Sequence, residues 1–421
     1  MHVVVLGGGS TGEHFVGALR RFDRTAEITV VERRLVGGEC SYWACMPTKT
    51  MLRAPELRAE AERTYGSLAP GPLDAHAVYA WRDVVAECDD SSQVAWLESM
   101  NAKLVRGDAT VEEPGLVRVG DVELRYDRLV IATGSSPFIP PVANGIDHWT
   151  NVQATETTEV PESLLVLGGG PVGCELAQFF ARVGSSVTLA QTAPRLLPRI
   201  DADAGALVEE ALREDGVDVR LGTKLGTDDL RGYARVLVAT GRTPNVDGLE
   251  PLGLTITRRG IEVDERMRAA ENVSAAGDVT GIAPFTHVGK YHARVVAADV
   301  AGRPARADHR AVPATIFTDP QVATVGTLDG VTARWELTST PRLSTYERPK
   351  RRGFVKVAAD PERRVLKGAV AVGPEAGEWL QQLTLAVRAE TPIDVLLDVI
   401  QPYPTFSEAV FLALRELNLD L

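Results

Sequence analysis

Residues 2–32 read HVVVL-GGGSTG-EHFVGALRRF-DRTA-EITVVE. HVVVL (2–6) is a short apolar run of strand type, and EITVVE (27–32) is a second one. Between them, residues 13–22 repeat apolar side chains at helical spacing, with Phe15, Val16 and Leu19 on one face. Gly7, Gly9 and Gly12 fit G-x-G-x-x-G, and Glu32 stands 20 residues beyond Gly12. Strand, glycine loop, helix, strand and acid in that order make a dinucleotide site. The glycines let the backbone approach a pyrophosphate, the helix N-terminus faces its charge, and the acid can hold a ribose hydroxyl. Ser10, Thr11 and Arg33 belong to the same contact set.

The pattern recurs. LLVL (164–167) runs into GGGPVG (168–173), then a helical CELAQFFARVG and a strand SVTLAQ (186–191). Gly168, Gly170 and Gly173 repeat the fingerprint, with Pro171 and Val172 between them. Two dinucleotide folds in one chain point to one flavin, FAD, and one nicotinamide, NADPH or NADH. The second strand ends on Gln191, where an acid is expected. An amide does not repel a 2′-phosphate, so the reading leans to NADPH. Arg195 is the nearest cation that can meet such a phosphate.

Between Glu32 and the next helix lies GGECSYWACMPTK (37–49). Pro47 reads as the first residue of that helix. Cys40 and Cys45, just ahead of it, face the exposed N–H groups of a helix start, which stabilise a thiolate and lower its pKa. Placed directly after a flavin-type fold, the pair reads as redox-active. Tyr42 and Trp43, between the cysteines, either pack against the flavin domain or line a pocket for a planar substrate such as a quinone.

The chain has 421 residues, which suggests roughly three domains of ordinary size. Its net charge of −12 argues against a general affinity for nucleic acid or anionic lipid. No stretch has the roughly eighteen apolar residues a membrane span needs. A first strand starting at His2 leaves no room for a secretory signal, so the expected compartment is the cytoplasm. Four cysteines in this length do not make a disulfide framework, and any disulfide in the cytosol is expected to be catalytic. Cys88 and Cys174 read as buried or small structural residues, and no metal-ligand spacing accompanies them. The basic run Arg348 to Arg352 reads as a solvated loop, with contact to an anionic substrate as the alternative.

These motifs, together with IATGSSP (131–137), VATGRTPN (238–245), AAGDVTG (275–281), FTDPQVATVG (317–326) and PTFSE (404–408), resemble the class I pyridine nucleotide-disulfide oxidoreductases. That is the family of dihydrolipoamide dehydrogenase, glutathione reductase and mercuric reductase. The resemblance runs end to end. It implies an α/β fold, with two Rossmann-like dinucleotide-binding domains plus a C-terminal α+β dimerisation domain. Residues 1–148 and 246–308 would bind FAD, 149–245 the nicotinamide, and 309–421 would form the interface of a homodimer. Cys45 resembles the thiol that contacts the flavin, and Cys40 the interchange thiol that meets the substrate. Lys49 resembles the cation near the flavin ring, and Glu175 its ion-pair partner. Asp278 resembles the acid on the ribityl chain. Thr133 and Gly134 resemble the backbone turn near the flavin. Gly38, Glu39, Ala109, Gly277, Phe285 and Thr286 complete the implied FAD contacts. Gln191 and Gly241 join the implied cofactor-binding set.

Two motifs depart from the family. Its thiol-disulfide members carry H-x-H-P-T-x-x-E near the C-terminus, the second His being the acid/base that reaches the partner subunit. Here Gln401-Pro402-Tyr403-Pro404-Thr405 precedes Phe406-Ser407-Glu408, so Glu408 remains and Tyr403 stands at the base. A phenol titrates near 10 against about 6.5 for imidazole, so it is a poor proton shuttle at neutral pH. His287 and His292 lie in the flavin-binding segment and are not obvious replacements. Mercuric reductases share a Tyr here but also use a C-terminal cysteine pair, and no cysteine follows Cys174. The leading expectation is a reductase passing electrons through flavin and disulfide to an unusual disulfide, quinone, electrophile or metal ion. The alternatives are an oxidase or quinone reductase working from the flavin directly, a metal reductase resembling the mercuric enzymes, and a non-enzymatic flavin sensor.

Overall fold

The structure is a computed structural model that describes residues 1–64, 66, 70–347 and 352–419. The basic run read as a solvated loop lies outside the described residues except for Arg352, whose Nη1 is 3.1 Å from Glu210 Oε2. The elements that hold the quoted motifs are β1 (His2–Leu6), α1 (Ser10–Phe22), β2 (Glu27–Glu32), α2 (Gly38–Tyr42), α3 (Cys45–Arg63), β3 (Ser163–Leu167), α4 (Pro171–Arg182), β4 (Ser186–Gln191) and α5 (Thr286–Val300). The chain divides into two compact units, Met1–Pro47 with Trp81–Phe138 and Gly241–Asp308, and Thr48–Ala80 with Ile139–Thr240 and His309–Leu421.

The first unit is built on a six-stranded sheet in the order Arg268–Ala270, Val273–Ala275, Arg128–Ile131, β1, β2, Ala102–Arg106. All neighbours run parallel except the Arg268–Ala270 edge. Three consecutive valines in β1 suit such a sheet, because both faces are covered. Val3 and Val5 pack with Phe15, Val16 and Leu19 of α1 and with Ala293, Val296 and Val300 of α5. Val4 and Leu6 pack on the opposite face with Leu129, Ile131 and Val279. Full burial of a side chain such as Phe15 or Leu19 contributes about 1.5–3 kcal/mol.

The second unit holds a four-stranded parallel sheet, Asp218–Leu221, β4, β3, Arg235–Val238. It also holds a five-stranded antiparallel sheet, Pro313–Ile316, Gln321–Gly326, Val365–Gly373, Phe354–Asp360, Val331–Glu336. In α4 every residue from Gly173 to Phe180 is buried. Burial all round places the helix between layers, with its two polar residues paired: Glu175 with Lys49 and Gln178 with Asp215. Its Phe179 and Phe180 share one core with Val166, Leu189, Ile316, Phe354 and Val372. Helices Gln381–Ala389 and Ser407–Arg415 pack Leu383, Val387, Val410 and Leu414 into a second core of the antiparallel sheet. Among the described residues, no helix is long and apolar enough to cross a membrane.

Candidate active site

The first glycine loop is shaped by backbone crowding. Gly7 has φ +102°, and a Cβ there would lie 2.3 Å from the Ala132 carbonyl oxygen. A Cβ on Gly12 would lie 2.1 Å from the Gly7 oxygen, and one on Gly38 only 2.8 Å from Gly9 Cα. Thr11 Oγ1 fills the space beside Gly277 and Gly289, 2.6 and 2.2 Å from their notional Cβ positions. Among the described residues no side chain caps α1 at Gly9, so the N–H groups of its first turn, at Ser10, Thr11 and Gly12, are open to an anion. Glu32 accepts the Gly8 N–H at 2.8 Å and the Arg34 N–H at 2.7 Å. Arg33 reaches Asp108 at 3.5 Å on the surface, and Ala109 opens the separate strand Ala109–Glu113. This tight, uncapped cradle fits the pyrophosphate of a dinucleotide.

Around it, Thr133 Oγ1 donates to the Asn245 carbonyl at 2.6 Å, Asn245 Nδ2 donates back to Thr133 at 2.9 Å, and the Asn245 N–H bonds the Gly134 carbonyl at 3.0 Å. Asp278 accepts from Ser135 Oγ at 2.9 Å. Burial pushes its carboxyl up, with Ser135 and the Arg242 guanidinium opposing. Gly241 accepts the Phe138 N–H at 2.9 Å. Ser135, Arg242 and Asn245 are side chains that sequence reasoning missed. All three sit inside motifs read for their glycines, and their polarity was the available signal.

Cys40 lies in α2 and Cys45 opens α3. The helix begins two residues earlier than Pro47 suggests. Proline occupies its third position, where a missing N–H costs nothing because that turn has no carbonyl to bond. Both cysteines are thiols here, and Cys45 faces Thr286, the first residue of α5. Cys45 Sγ is 3.3 Å from Thr286 Oγ1. The bond to Cys45, then burial, push the Cys40 thiol well above the ordinary range, while Thr286 and Lys290 oppose. The expected lowering therefore does not hold for Cys40: its proton is kept by the bond between the sulfurs.

The aromatics beside the thiols take the packing alternative. Tyr42 and Trp43 are 4% and 5% exposed. Tyr42 donates to the Val36 carbonyl at 2.8 Å, and the Arg34 guanidinium lies 3.8 Å from the Trp43 ring centre. Phe285 precedes α5 and stacks on the exposed His287, whereas His292 is fully buried and accepts the Gly277 N–H at 3.2 Å. Cys174 is buried and Cys88 exposed, so of the two alternatives burial holds for Cys174 and not for Cys88.

In the second unit, Lys49 Nζ lies 2.7 Å from Glu175 Oε2 and 4.9 Å from the Phe317 ring centre. The other oxygen of the buried Glu175 accepts the Phe317 N–H at 2.9 Å. The second glycine loop repeats the first: Gly168 has φ +108°, and a Cβ on Gly173 would lie 1.9 Å from the Gly168 oxygen. Gly170 leaves α4 without a side-chain cap ahead of Pro171 and Val172, so this loop too fits a pyrophosphate. Gln191 ends β4 with its side chain against Gly169. Arg195 turns to its own loop, donating to the carbonyls of Leu197, Pro198 and Ile200. It is no longer the natural partner of a 2′-phosphate. Near the C-terminus Tyr403 is 71% exposed, and Glu408 Oε2 is buried without a hydrogen-bond partner among the described residues.

Residues 1–301 match the model of the family described as pyridine nucleotide-disulphide oxidoreductase, and 312–414 match its dimerisation domain. The chain belongs to the pyridine nucleotide-disulphide oxidoreductase family. It is 33% identical to a mercuric reductase of Acidithiobacillus ferrooxidans, over 100% of this chain and 83% of that protein. It is 31% identical to dihydrolipoyl dehydrogenase 2 of Haloarcula marismortui, over 97% and 94% of the two chains. The crystal structure of LpdA from Mycobacterium tuberculosis superposes with a TM-score of 0.86 at 27% identity, covering 99% of each chain. The protein is thus an FAD-dependent oxidoreductase that uses NAD(P)H, with two Rossmann-like domains and the dimerisation domain of a homodimer.

Proposed function

We propose that this enzyme carries two electrons from NAD(P)H, by way of FAD and the Cys40–Cys45 pair, to a small-molecule acceptor that needs no imidazole proton shuttle. An unusual disulfide, a quinone, another electrophile or a metal ion meets that description. The observation that supports this most is the Cys45 thiol 3.3 Å from Thr286 Oγ1, with Cys40 in the preceding helix of the same unit as the first dinucleotide cradle. Bound FAD supplies the electron pair that a hydride from the nicotinamide delivers. Cys45 is the thiol on the flavin side, and Cys40 exchanges with the acceptor. As the pair gives up two electrons and two protons it closes to a disulfide, and the electron pair from NAD(P)H reopens it.

Residues 1–148 and 246–308 hold FAD and 149–245 the nicotinamide in this reading, with 309–421 as the interface. Lys49, held by Glu175 at 2.7 Å, is the fixed cation beside the flavin ring. Asp278 holds the ribityl chain, and Thr133 and Gly134 turn the backbone beside it. Tyr403 is solvent-facing and Glu408 has a buried oxygen without a partner among the described residues, which suits residues that complete the neighbouring subunit's site. Cys40→Ser tests the path. Turnover with a quinone or a disulfide acceptor is expected to fall by about 100-fold or more, as for a residue acting only in the reaction. Unchanged turnover would mean that the acceptor takes electrons from the flavin directly.

A further inference from the structure

Glu39, adjacent to Cys40 in α2, was read as a flavin contact, yet its carboxylate belongs to a chain of hydrogen bonds inside the first unit. Arg242 Nη2 donates to Glu39 Oε2 at 2.6 Å and to the Ser135 carbonyl at 2.5 Å. Arg242 Nε donates to Ser135 Oγ at 2.7 Å, and Ser135 Oγ lies 2.9 Å from Asp278 Oδ2. The direction is fixed by chemistry. A guanidinium only donates, so Ser135 Oγ accepts from Arg242 and its single proton goes to Asp278. Glu39 and Arg242 keep only 27% and 28% of their side chains exposed, so the bond is shielded from competing water. One cation therefore stands between two carboxylates, one beside the interchange thiol and one beside the flavin cradle.

We propose that Arg242 is a positioning residue that ties the thiol helix α2, through Glu39, to Asp278, through Ser135, so that one guanidinium fixes both cofactor acid and interchange thiol. The inference rests on the reading above, in which Asp278 holds the ribityl chain and Cys40 meets the acceptor. The two arms are separable. Losing Glu39 frees α2 but leaves Arg242, Ser135 and Asp278 in place. Losing Ser135 cuts the arm to Asp278 but leaves Glu39 tethered. Losing Arg242 breaks both arms and leaves two carboxylates without their cation.

The test compares wild type, Glu39→Ala, Ser135→Ala, Arg242→Lys and Arg242→Met as holoenzymes. FAD affinity is measured by titration, and Cys40 alkylation by iodoacetamide is measured by peptide mass before and after reduction with NAD(P)H. Glu39→Ala is expected to weaken FAD less than Ser135→Ala does but to alkylate Cys40 about fivefold faster, because a tether and a nearby anion are gone. Ser135→Ala is expected to weaken FAD about tenfold, the size of a charge-assisted hydrogen bond, with alkylation near wild type. Arg242→Met is expected to change both, and Arg242→Lys to restore part of each; should the Met variant not fold, the Glu39 and Ser135 pair decides. Wild-type alkylation by the Glu39→Ala variant, or a single shared effect of all variants, would overturn the tether alone. Wild-type enzyme whose Cys40 alkylation is unaltered by NAD(P)H would overturn the underlying thiol reading, and the tether with it.

Discussion

The two glycine loops are near copies in backbone and differ in what surrounds them. Gly7 and Gly168 have φ +102° and +108°, and Gly12 and Gly173 each press on the oxygen of the first glycine, at 2.1 and 1.9 Å from a notional Cβ. In the first loop Gly9 has Gly38 Cα 3.7 Å from its notional Cβ, so the thiol segment itself forms a wall. In the second no atom of the described residues comes within 4 Å of that position at Gly170. Glu32 is bonded by the backbone at both oxygens, whereas β4 ends on the amide Gln191. At this third glycine the first loop is backed by its own thiol segment and the second is not. At the middle glycine the order reverses: a Cβ on Gly169 would lie 2.5 Å from Leu196 Cδ2, against 3.1 Å from Glu32 Cβ for one on Gly8, so the loops differ in which glycine their own chain crowds.

That contrast can be broken by mutation. Gly12→Ala and Gly173→Ala are each expected to cost about 1–3 kcal/mol by overpacking against backbone, but only the first should also strip the flavin. Thermal melts with bound-flavin absorbance separate the two, and equal flavin loss in both would erase the distinction. Gly170→Ala is expected to stay within about 0.5 kcal/mol of wild type, since its Cβ meets nothing within 4 Å among the described residues. Gln191→Glu sharpens the contrast from the other side. With neither a repelling acid nor a committed arginine, NADPH and NADH should reduce the enzyme within about tenfold of each other, roughly 1.4 kcal/mol. The new carboxylate should shift preference to NADH by a similar factor, read from reduction rates with each nucleotide.

A smaller effect concerns the start of α1. Burial raises the Glu13 carboxyl to about 7, with Lys290 opposing. Its native form therefore binds protons more tightly than the unfolded chain, so stability falls as pH rises from the ordinary carboxylate range, about 4.5, to about 7. Glu13→Gln removes that fall. The variant should match wild type in melting temperature near pH 4 and exceed it at pH 8; a difference independent of pH would exclude titration as the cause.

Much of this architecture was legible because its signals are local. β1, β2 and β4 occupy the residues that the apolar runs mark, and α1 buries Phe15, Val16 and Leu19. The glycine spacing encodes backbone approach, which needs no distant partner. What escaped the sequence is long-range or has two local solutions. Arg242 meets Glu39 across 203 positions of chain. Trp43 beside a thiol is equally compatible with a pocket or a core until Arg34 is found on its ring. Proline fits any position of a helix's first turn, so Pro47 marked the start of α3 only to within two residues. Burial of a single small residue has no periodic signal, which is why the sequence does not separate the exposed Cys88 from the buried Cys174.

The most direct test is an anaerobic titration of the purified enzyme with NADPH and then NADH, followed by absorbance. A long-wavelength thiolate–flavin band should grow with the first equivalent and be absent in Cys45→Ser, which would establish that electrons reach the Cys40–Cys45 pair. Bleaching of the flavin without that band, identical in wild type and Cys45→Ser, would contradict the account and move the acceptor to the flavin itself.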